Sequence, residues 1–143
     1  IVDNVLLAFK NKAKRKNINI RFERSTEISV KADTQAVERI LNNLLDNAFK
    51  YSPNDSEVEL RIRKQGEFVK ISVLDSGEGV PDEDQRSVFK RFYRTAAARA
   101  NTQQGSGLGL AIVRNLVNNL HGEVGVDSRQ GNGSEFWFTL PAS

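Results

Sequence analysis

The feature that most constrains the fold is a stretch with two contrasting faces, residues 39–51, RILNNLLDNAFKY. Apolar residues recur in it at the three- and four-residue steps of a buried helical face, at Ile40, Leu41, Leu44, Leu45 and Ala48. A second stripe, roughly 120° round the helix axis, consists of Asn43, Asn47 and Lys50. The pattern predicts an amphipathic helix that packs against another layer.

The polar stripe of this helix has two interpretations. Asparagine is a mediocre helix former, because its amide competes for backbone partners. Asn43 and Asn47, one turn apart and followed by Lys50, therefore indicate either a solvated face or groups that a bound ligand uses. The helix alone leaves both interpretations open.

Length and composition restrict the class of protein. A chain of 143 residues, 38% hydrophobic and 27% charged, fits a single globular domain over 1–143. The net charge of +3 is too small to indicate nucleic acid as a partner, and the absence of cysteine excludes disulfides. No apolar run has the length of a membrane span. We expect no membrane contact by this domain and a cytoplasmic location, and leave open whether the parent protein is membrane-anchored. The chain starts at Ile1 inside an apparent helix, so we expect a piece of a longer protein. Residues 1–16 would then be the junction from an upstream domain.

Periodicity and turn residues predict the order of the elements. We expect a helix over 1–16, strands over 17–23 and 28–30, and a helix from Asp33 or Thr34 to Tyr51. A hairpin of strands 57–64 and 68–74 and a short helix over 82–92 follow. The chain then forms a helix from Leu108 that stops at Gly122, and a hairpin of strands 123–128 and 134–140. This order predicts a two-layer α/β sandwich, with helices on one face of a mixed, mostly antiparallel sheet.

A glycine-rich loop, GSGLGL at 105–110, leads into the helix that follows it. Such loops present backbone N–H groups and a positive dipole end to phosphate, although a helix entry can also need glycine for its backbone geometry. The preceding segment, 95–104, has no large apolar residue and is interpreted as a mobile lid.

A second glycine-rich turn, DSGEGVP at 75–81, follows a strand that we expect to be buried. Asp75 can accept a hydrogen bond from an amine in a pocket, or from the backbone of its own turn. Gly77 and Gly79 either let a flat ring approach or only make the turn. The single histidine, His121, lies at a helix C-terminus and is interpreted as structural.

These segments together resemble one family. Residues 43–51 resemble its N box, 75–81 its first glycine box, 89–94 (FKRFYR) its F box and 105–113 (GSGLGLAIV) its second glycine box, and the closing GNGSEFWFTLP of 131–141 also matches. In this order and spacing they resemble the catalytic, ATP-binding domain of two-component sensor histidine kinases, which has the Bergerat fold of the GHKL superfamily. The resemblance covers essentially the whole chain.

The resemblance implies a site for ATP and Mg²⁺. Asn47 would bind Mg²⁺ through its amide oxygen, with Asn43 beside it, and Lys50 would reach the phosphates. Asp75 would accept from the exocyclic amine of adenine. The other implied nucleotide-binding residues are Tyr51, Gly77, Gly79, Val80 and Ser134 in the base pocket, Arg91 and Arg94 near the γ-phosphate, and Gly105, Ser106, Gly107, Leu108, Gly109 and Leu110 in the phosphate loop. Asn43, Lys50 and Arg94 would be the catalytic residues.

The resemblance also implies a reaction and its partners. The phosphoryl group would pass to a histidine on a separate dimerisation domain and then to a response regulator. That acceptor segment is absent here, so we expect little autophosphorylation by the chain alone. Related GHKL ATPases place a glutamate where this chain has Asn43, and an amide cannot act as a general base, so hydrolysis is the less favoured alternative. A degenerate nucleotide-binding module that acts by protein contact is another.

Overall fold

In the computed structural model, the structure describes residues 2–24, 28–91, 93, 108–128 and 133–143. The helices in these ranges are α1 (Val2–Ala8), α2 (Lys10–Lys16), α3 (Thr34–Tyr51), α4 (Asp82–Gln85) and α5 (Gly109–Asn119). The strands are β1 (Asn19–Arg24), β2 (Glu57–Gln65), β3 (Phe68–Asp75), β4 (Val124–Ser128) and β5 (Ser134–Pro141).

The five strands form one sheet in the order β1-β2-β3-β5-β4. β1 runs parallel to β2, and the other three pairings are antiparallel. The register aligns apolar residues across the sheet: Ile71 lies opposite Ile62 on one side and Phe138 on the other, and Phe138 lies opposite Val124. Because side chains alternate between the faces of a strand, this row belongs to a single apolar face. The predicted mixed, mostly antiparallel sheet is confirmed.

The helices α3 and α5 bury their apolar sides in the core beneath this face. Ile40 and Leu45 of α3 and Val117 of α5 are each 0% exposed. The alternate strand positions, which point away from the core, carry ionic pairs such as Arg61 with Glu59. The predicted two-layer α/β arrangement is confirmed. Among the described helices, none combines the length and the apolarity that crossing a membrane requires.

The N-terminal region differs from the single helix expected over 1–16. The chain turns at Phe9, whose N–H bonds the Leu6 carbonyl in a tighter i−3 turn that separates α1 from α2. Phe9 is buried, and its ring stacks on that of Phe49 of α3 at a centroid distance of 5.4 Å. The Lys16 ammonium donates to the carbonyls of Phe49 and Ser52 at 2.6 and 2.9 Å, so α2 supplies a cap for the C-terminus of α3. Ile1 lies outside the described residues.

The start of α3 agrees with the expected cap. Asp33 is the N-cap, and its carboxylate accepts the N–H of Gln35 at 3.1 Å. The strand expected over 17–23 begins two residues later, at Asn19. The chain is still turning at Asn17, which adopts φ +51° at the end of α2.

Two predicted elements are wrong. Residues 28–30 do not form a strand, since only Val30 pairs, through one isolated bridge to Ala142. The helix expected over 82–92 ends at Gln85, and i→i+3 turns carry the chain onward, as in the bond from Lys90 N–H to the Ser87 carbonyl. These turns bury Val88 and Phe89 without a longer helix.

The end of α5 is also different from the expectation. The helix ends at Asn119, before the expected stop at Gly122, and His121 adopts a left-handed φ of +65°. Gly122 donates its N–H to the Val117 carbonyl at 3.0 Å. A Cβ on Gly122 would overlap the backbone carbonyl of Thr139 in β5, so this glycine is required by close packing of the turn against the sheet.

Candidate functional site

The polar stripe of α3 lies beside the start of α5. Asn43 is half-buried, and its amide nitrogen donates to the Arg39 carbonyl one turn earlier at 3.0 Å. The amide oxygen points the other way, since a Cβ built on Gly109 would lie 3.4 Å from it. The structure therefore brings the N-box helix and the first residues of α5 together.

Asn47 lies one turn further along the stripe and is half-buried. Within the described ranges, no three His, Cys, Asp or Glu residues cluster closely enough to hold a metal ion. The metal ligand that the stripe offers is the amide oxygen of Asn47. This suits Mg²⁺, which takes oxygen ligands, keeps several waters and shares its remaining positions with substrate phosphates.

Lys50 is held by a carboxylate that sequence reasoning missed. Its ammonium lies 3.2 Å from Asp46, whose other oxygen accepts from Lys12 of α2 at 2.8 Å. Partial burial acts to raise the pKa of Asp46, but the two ammonium groups outweigh it and hold the pKa below its ordinary value of 3.8. The i,i+4 spacing of Asp46 and Lys50 was the signal available in the sequence.

Asp75 ends β3 and lies opposite Ser134 of β5. Its carboxylate accepts the Gly77 N–H at 2.9 Å, which is the turn bond that one interpretation of the sequence expected. Burial raises the pKa of Asp75 to about 6, and the backbone N–H groups of Gly77 and Ser134 oppose that rise. The carboxyl is therefore mostly ionised at neutral pH and retains lone pairs for another donor.

The C-terminal end of α3 touches the loop that Asp75 begins. Ser76 donates its N–H to the Ser52 hydroxyl at 3.1 Å. A Cβ on Gly77 would lie 2.8 Å from the Tyr51 carbonyl oxygen, so the contact with α3 requires glycine at this position. Gly79 has φ +82°, a conformation that glycine adopts at no steric cost.

Replacing Asp75 by asparagine is expected to stabilise the chain without nucleotide by up to about 3 kcal/mol above roughly pH 7, and by little near pH 4. The folded-state pKa of about 6 exceeds the ordinary value of 3.8, so the folded state binds the proton more tightly than the unfolded chain. Protonated Asp75 therefore adds to the free energy of unfolding. This contribution is complete below the pKa of Asp75 in the unfolded chain and is lost as the pH rises through its pKa in the folded state. Asparagine is neutral at every pH.

Urea unfolding of wild type and Asp75→Asn at about pH 4.5 and about pH 7.5 measures this difference. The advantage of the variant should grow with pH. An advantage of equal size at both pH values would contradict the raised pKa of Asp75.

The remaining predicted site residues fall into two sets. Leu108, Gly109 and Leu110 lie partly buried at the start of α5, and Arg91 is exposed in the turns after α4. Arg94, Gly105, Ser106 and Gly107, with the expected lid over 95–104, lie outside the described residues.

Two side chains that sequence reasoning missed hold the 75–81 loop. The Ser128 hydroxyl accepts the Val80 N–H at 2.6 Å, and the Gln85 amide donates to the Val80 carbonyl at 3.1 Å. No local pattern marks Ser128, because it lies 48 residues from its partner in the chain.

Comparison with known proteins identifies the family. The family described as Histidine kinase-, DNA gyrase B-, and HSP90-like ATPase matches residues 32–143. Sensor-like histidine kinase SenX3 of Mycobacterium tuberculosis (strain ATCC 25618 / H37Rv) is 39% identical over 142 residues, and the alignment covers 99% of this chain and 35% of that protein. The chain thus spans about a third of the length of this relative.

Two solved structures are similar over nearly the whole chain. Full-length ShkA in complex with AMPPNP has a TM-score of 0.87 and 33% identity, covering 99% of this chain and 29% of that one. The mycobacterial sensor histidine kinase MprB has a TM-score of 0.86 and 31% identity, covering 99% of this chain and 95% of that one. The chain belongs to the family of histidine kinase-, DNA gyrase B- and HSP90-like ATPases, as a catalytic domain of the sensor histidine kinase type.

Proposed function

We propose that the chain binds Mg·ATP and donates the γ-phosphoryl group to a histidine on a separate dimerisation domain, for relay to a response regulator. One observation carries the proposal: the polar stripe of α3 runs between the start of α5 and the Asp75 loop. The eight helical steps from Asn43 to Tyr51 span roughly 12 Å, so groups suited to phosphate and to base lie at opposite ends of this segment of α3. Similarity to ShkA, which was solved with AMPPNP, supports the choice of nucleotide.

The base end of the site is built on Asp75. Its ionised carboxylate accepts a hydrogen bond from the exocyclic amine of adenine, which guanine lacks at that position. Gly79 lets the base approach the backbone, and Ser134 lies next to the carboxylate in the register of the sheet. Tyr51 and Val80 complete this end of the site.

The phosphate end is built on α3 and α5. Asn47 supplies the amide oxygen for Mg²⁺, and a bound Mg²⁺ neutralises charge on the phosphates. The N-terminus of α5 offers backbone N–H groups and the positive end of its dipole to the phosphates, together with the residues of 105–110. Lys50, Arg91 and Arg94 contribute positive charge. Catalysis on this arrangement consists mainly of positioning and charge stabilisation.

Asn43 favours phosphoryl transfer over hydrolysis. Its amide nitrogen already donates to the Arg39 carbonyl, and an amide has no proton-accepting nitrogen that could activate water. The acceptor must therefore be activated by a group outside this domain. His121 is exposed at the far end of α5 from the proposed phosphate site, so we do not assign it as the acceptor.

Calorimetric titration with Mg·ATP and incubation with γ-labelled ATP test the proposal. We expect saturable binding of Mg·ATP, little label on the chain alone, and transfer of label when a histidine-bearing dimerisation domain is added. No binding of Mg·ATP would overturn the proposal. Stable phosphohistidine on His121 would contradict the assignment of the acceptor to another domain.

A further inference from the structure

Val80 is held in an unusual way, because both of its main-chain polar groups are bound by side chains. Its N–H donates to the Ser128 hydroxyl at 2.6 Å, and its carbonyl accepts from the Gln85 amide at 3.1 Å. Ser128 ends β4 and Gln85 ends α4. The Val80 side chain is buried in the core, at 8% exposure. The peptide groups on both sides of Val80 are therefore fixed by two residues outside the 75–81 loop.

The orientation of Gln85 follows from its surroundings. Its amide nitrogen also lies 3.2 Å from the Ser128 carbonyl and 3.3 Å from the Asp82 carboxylate. All three neighbours are oxygen acceptors, so the NH₂ end must face them, since the Gln85 carbonyl there would meet only lone pairs. Gln85 thus bridges the loop and the end of β4.

Ser128 extends this bridge to the other side of Asp75. Its hydroxyl lies 3.0 Å from the Gly133 carbonyl and 3.0 Å from the Ser134 hydroxyl. Ser134 in turn lies opposite Asp75 in the sheet. One hydroxyl therefore contacts both segments that flank the Asp75 carboxylate, the loop at Val80 and the start of β5.

We propose that Gln85 and Ser128 are positioning residues for the base half of the nucleotide site. They fix the peptide of Gly79 and Val80 relative to Asp75 and Ser134, and so set the shape that distinguishes adenine from guanine. This inference rests on the proposed function, because it assigns the base to the Asp75 end. Neither residue lies on the polar stripe of α3, so phosphate binding is not expected to depend on them.

Paired variants separate positioning from general stability. Ser128→Ala removes the hydroxyl, and Ser128→Thr keeps one on a residue that suits a strand. Gln85→Glu has the same shape but places a carboxylate against two carbonyl oxygens. Ser29→Ala and Gln65→Glu are matched controls at exposed positions.

Two readouts are made on the 143-residue chain. Hydrogen exchange of the Val80 amide, measured by NMR without nucleotide, tests whether Ser128 and Gln85 hold the main chain at Val80. Competition binding with ATP, GTP and inorganic tripolyphosphate tests the role of these two residues in recognising the base. For Ser128→Ala and Gln85→Glu we expect an ATP affinity about tenfold lower, the size of one hydrogen bond, with a smaller preference for ATP over GTP. Tripolyphosphate affinity should not change, and Ser128→Thr should restore ATP affinity.

Three outcomes would count against these ideas, and they are distinguishable. Faster Val80 exchange with unchanged ATP affinity would overturn the positioning role alone. An equal loss of affinity for ATP and tripolyphosphate would show a general structural defect and overturn it as well. Failure of the wild-type chain to bind ATP, with Val80 protected as expected, would overturn the proposed function and with it the positioning role.

Discussion

Asn47→Ala is expected to lower the affinity for Mg·ATP by at least about a hundredfold, or roughly 2.7 kcal/mol. The polar stripe of α3 offers Mg²⁺ the amide oxygen of Asn47, and its neighbour Asp46 is already paired with Lys12 and Lys50. Alanine removes this proposed ligand, so Mg²⁺ would be held by the phosphates and water alone. Calorimetry with Mg·ATP, and with ATP in excess EDTA, measures the metal-dependent part of binding.

Asn42→Ala is the matched control for this experiment. Asn42 lies on the same helix and is exposed, about 140° round the axis from Asn47 at about 100° per residue. Both substitutions replace asparagine by a better helix former, so their effects on helix stability are similar. Equal affinities for Mg·ATP in wild type, Asn42→Ala and Asn47→Ala would remove the basis for a metal site on α3.

The largest effect on folding is expected from Gly122→Ala, with a loss of about 3 kcal/mol or more and a fall in Tm of roughly 10 °C. The added Cβ would overlap the Thr139 carbonyl oxygen and lie 3.0 Å from a methyl of Val117. Thr139 is part of β5, and its N–H bonds the Glu123 carbonyl, so it cannot move away without disturbing the sheet. Urea and thermal unfolding followed by circular dichroism measure the loss.

Gly66→Ala separates this contact from the general cost of replacing glycine. Gly66 lies in the β2–β3 turn with φ +60°, and a Cβ there would have no atom within 4 Å. The strain of a left-handed alanine is expected to cost about 1 kcal/mol. If Gly66→Ala and Gly122→Ala lose the same stability, the close approach of Gly122 to Thr139 is not what makes it essential.

Elements with long and regular patterns were predictable from the sequence. The helix α3 has both a seven-residue buried set and an N-cap in Asp33, so periodicity and capping chemistry agree. In β2, Val58, Leu60 and Ile62 alternate with charged residues, as a strand requires. The segment after α4 was not predictable in the same way. In the sequence Val88, Phe89 and Phe92 have the spacing of one helical face, but i→i+3 turns bury Val88 and Phe89 without a longer helix. Short apolar clusters do not distinguish these backbones.

The candidate site was predictable only where its residues are local to a motif. The spacing of Asp46 and Lys50 could have been interpreted as an ion pair, whereas Lys12 reaches Asp46 from 34 residues away. Ser128 meets Val80 across 48 residues. Such partners are set by how the layers pack, which a single sequence does not express as a pattern.

The lysine that caps α3 has a consequence for where this domain begins. The family match starts at residue 32, whereas the carbonyls at the end of α3 are capped by Lys16, and Phe49 stacks on Phe9. A chain trimmed to 32–143 keeps every residue by which the family is recognised and loses these contacts of the helix that carries Asn47. We therefore expect the unit that folds to extend beyond the recognisable sequence and to include α2.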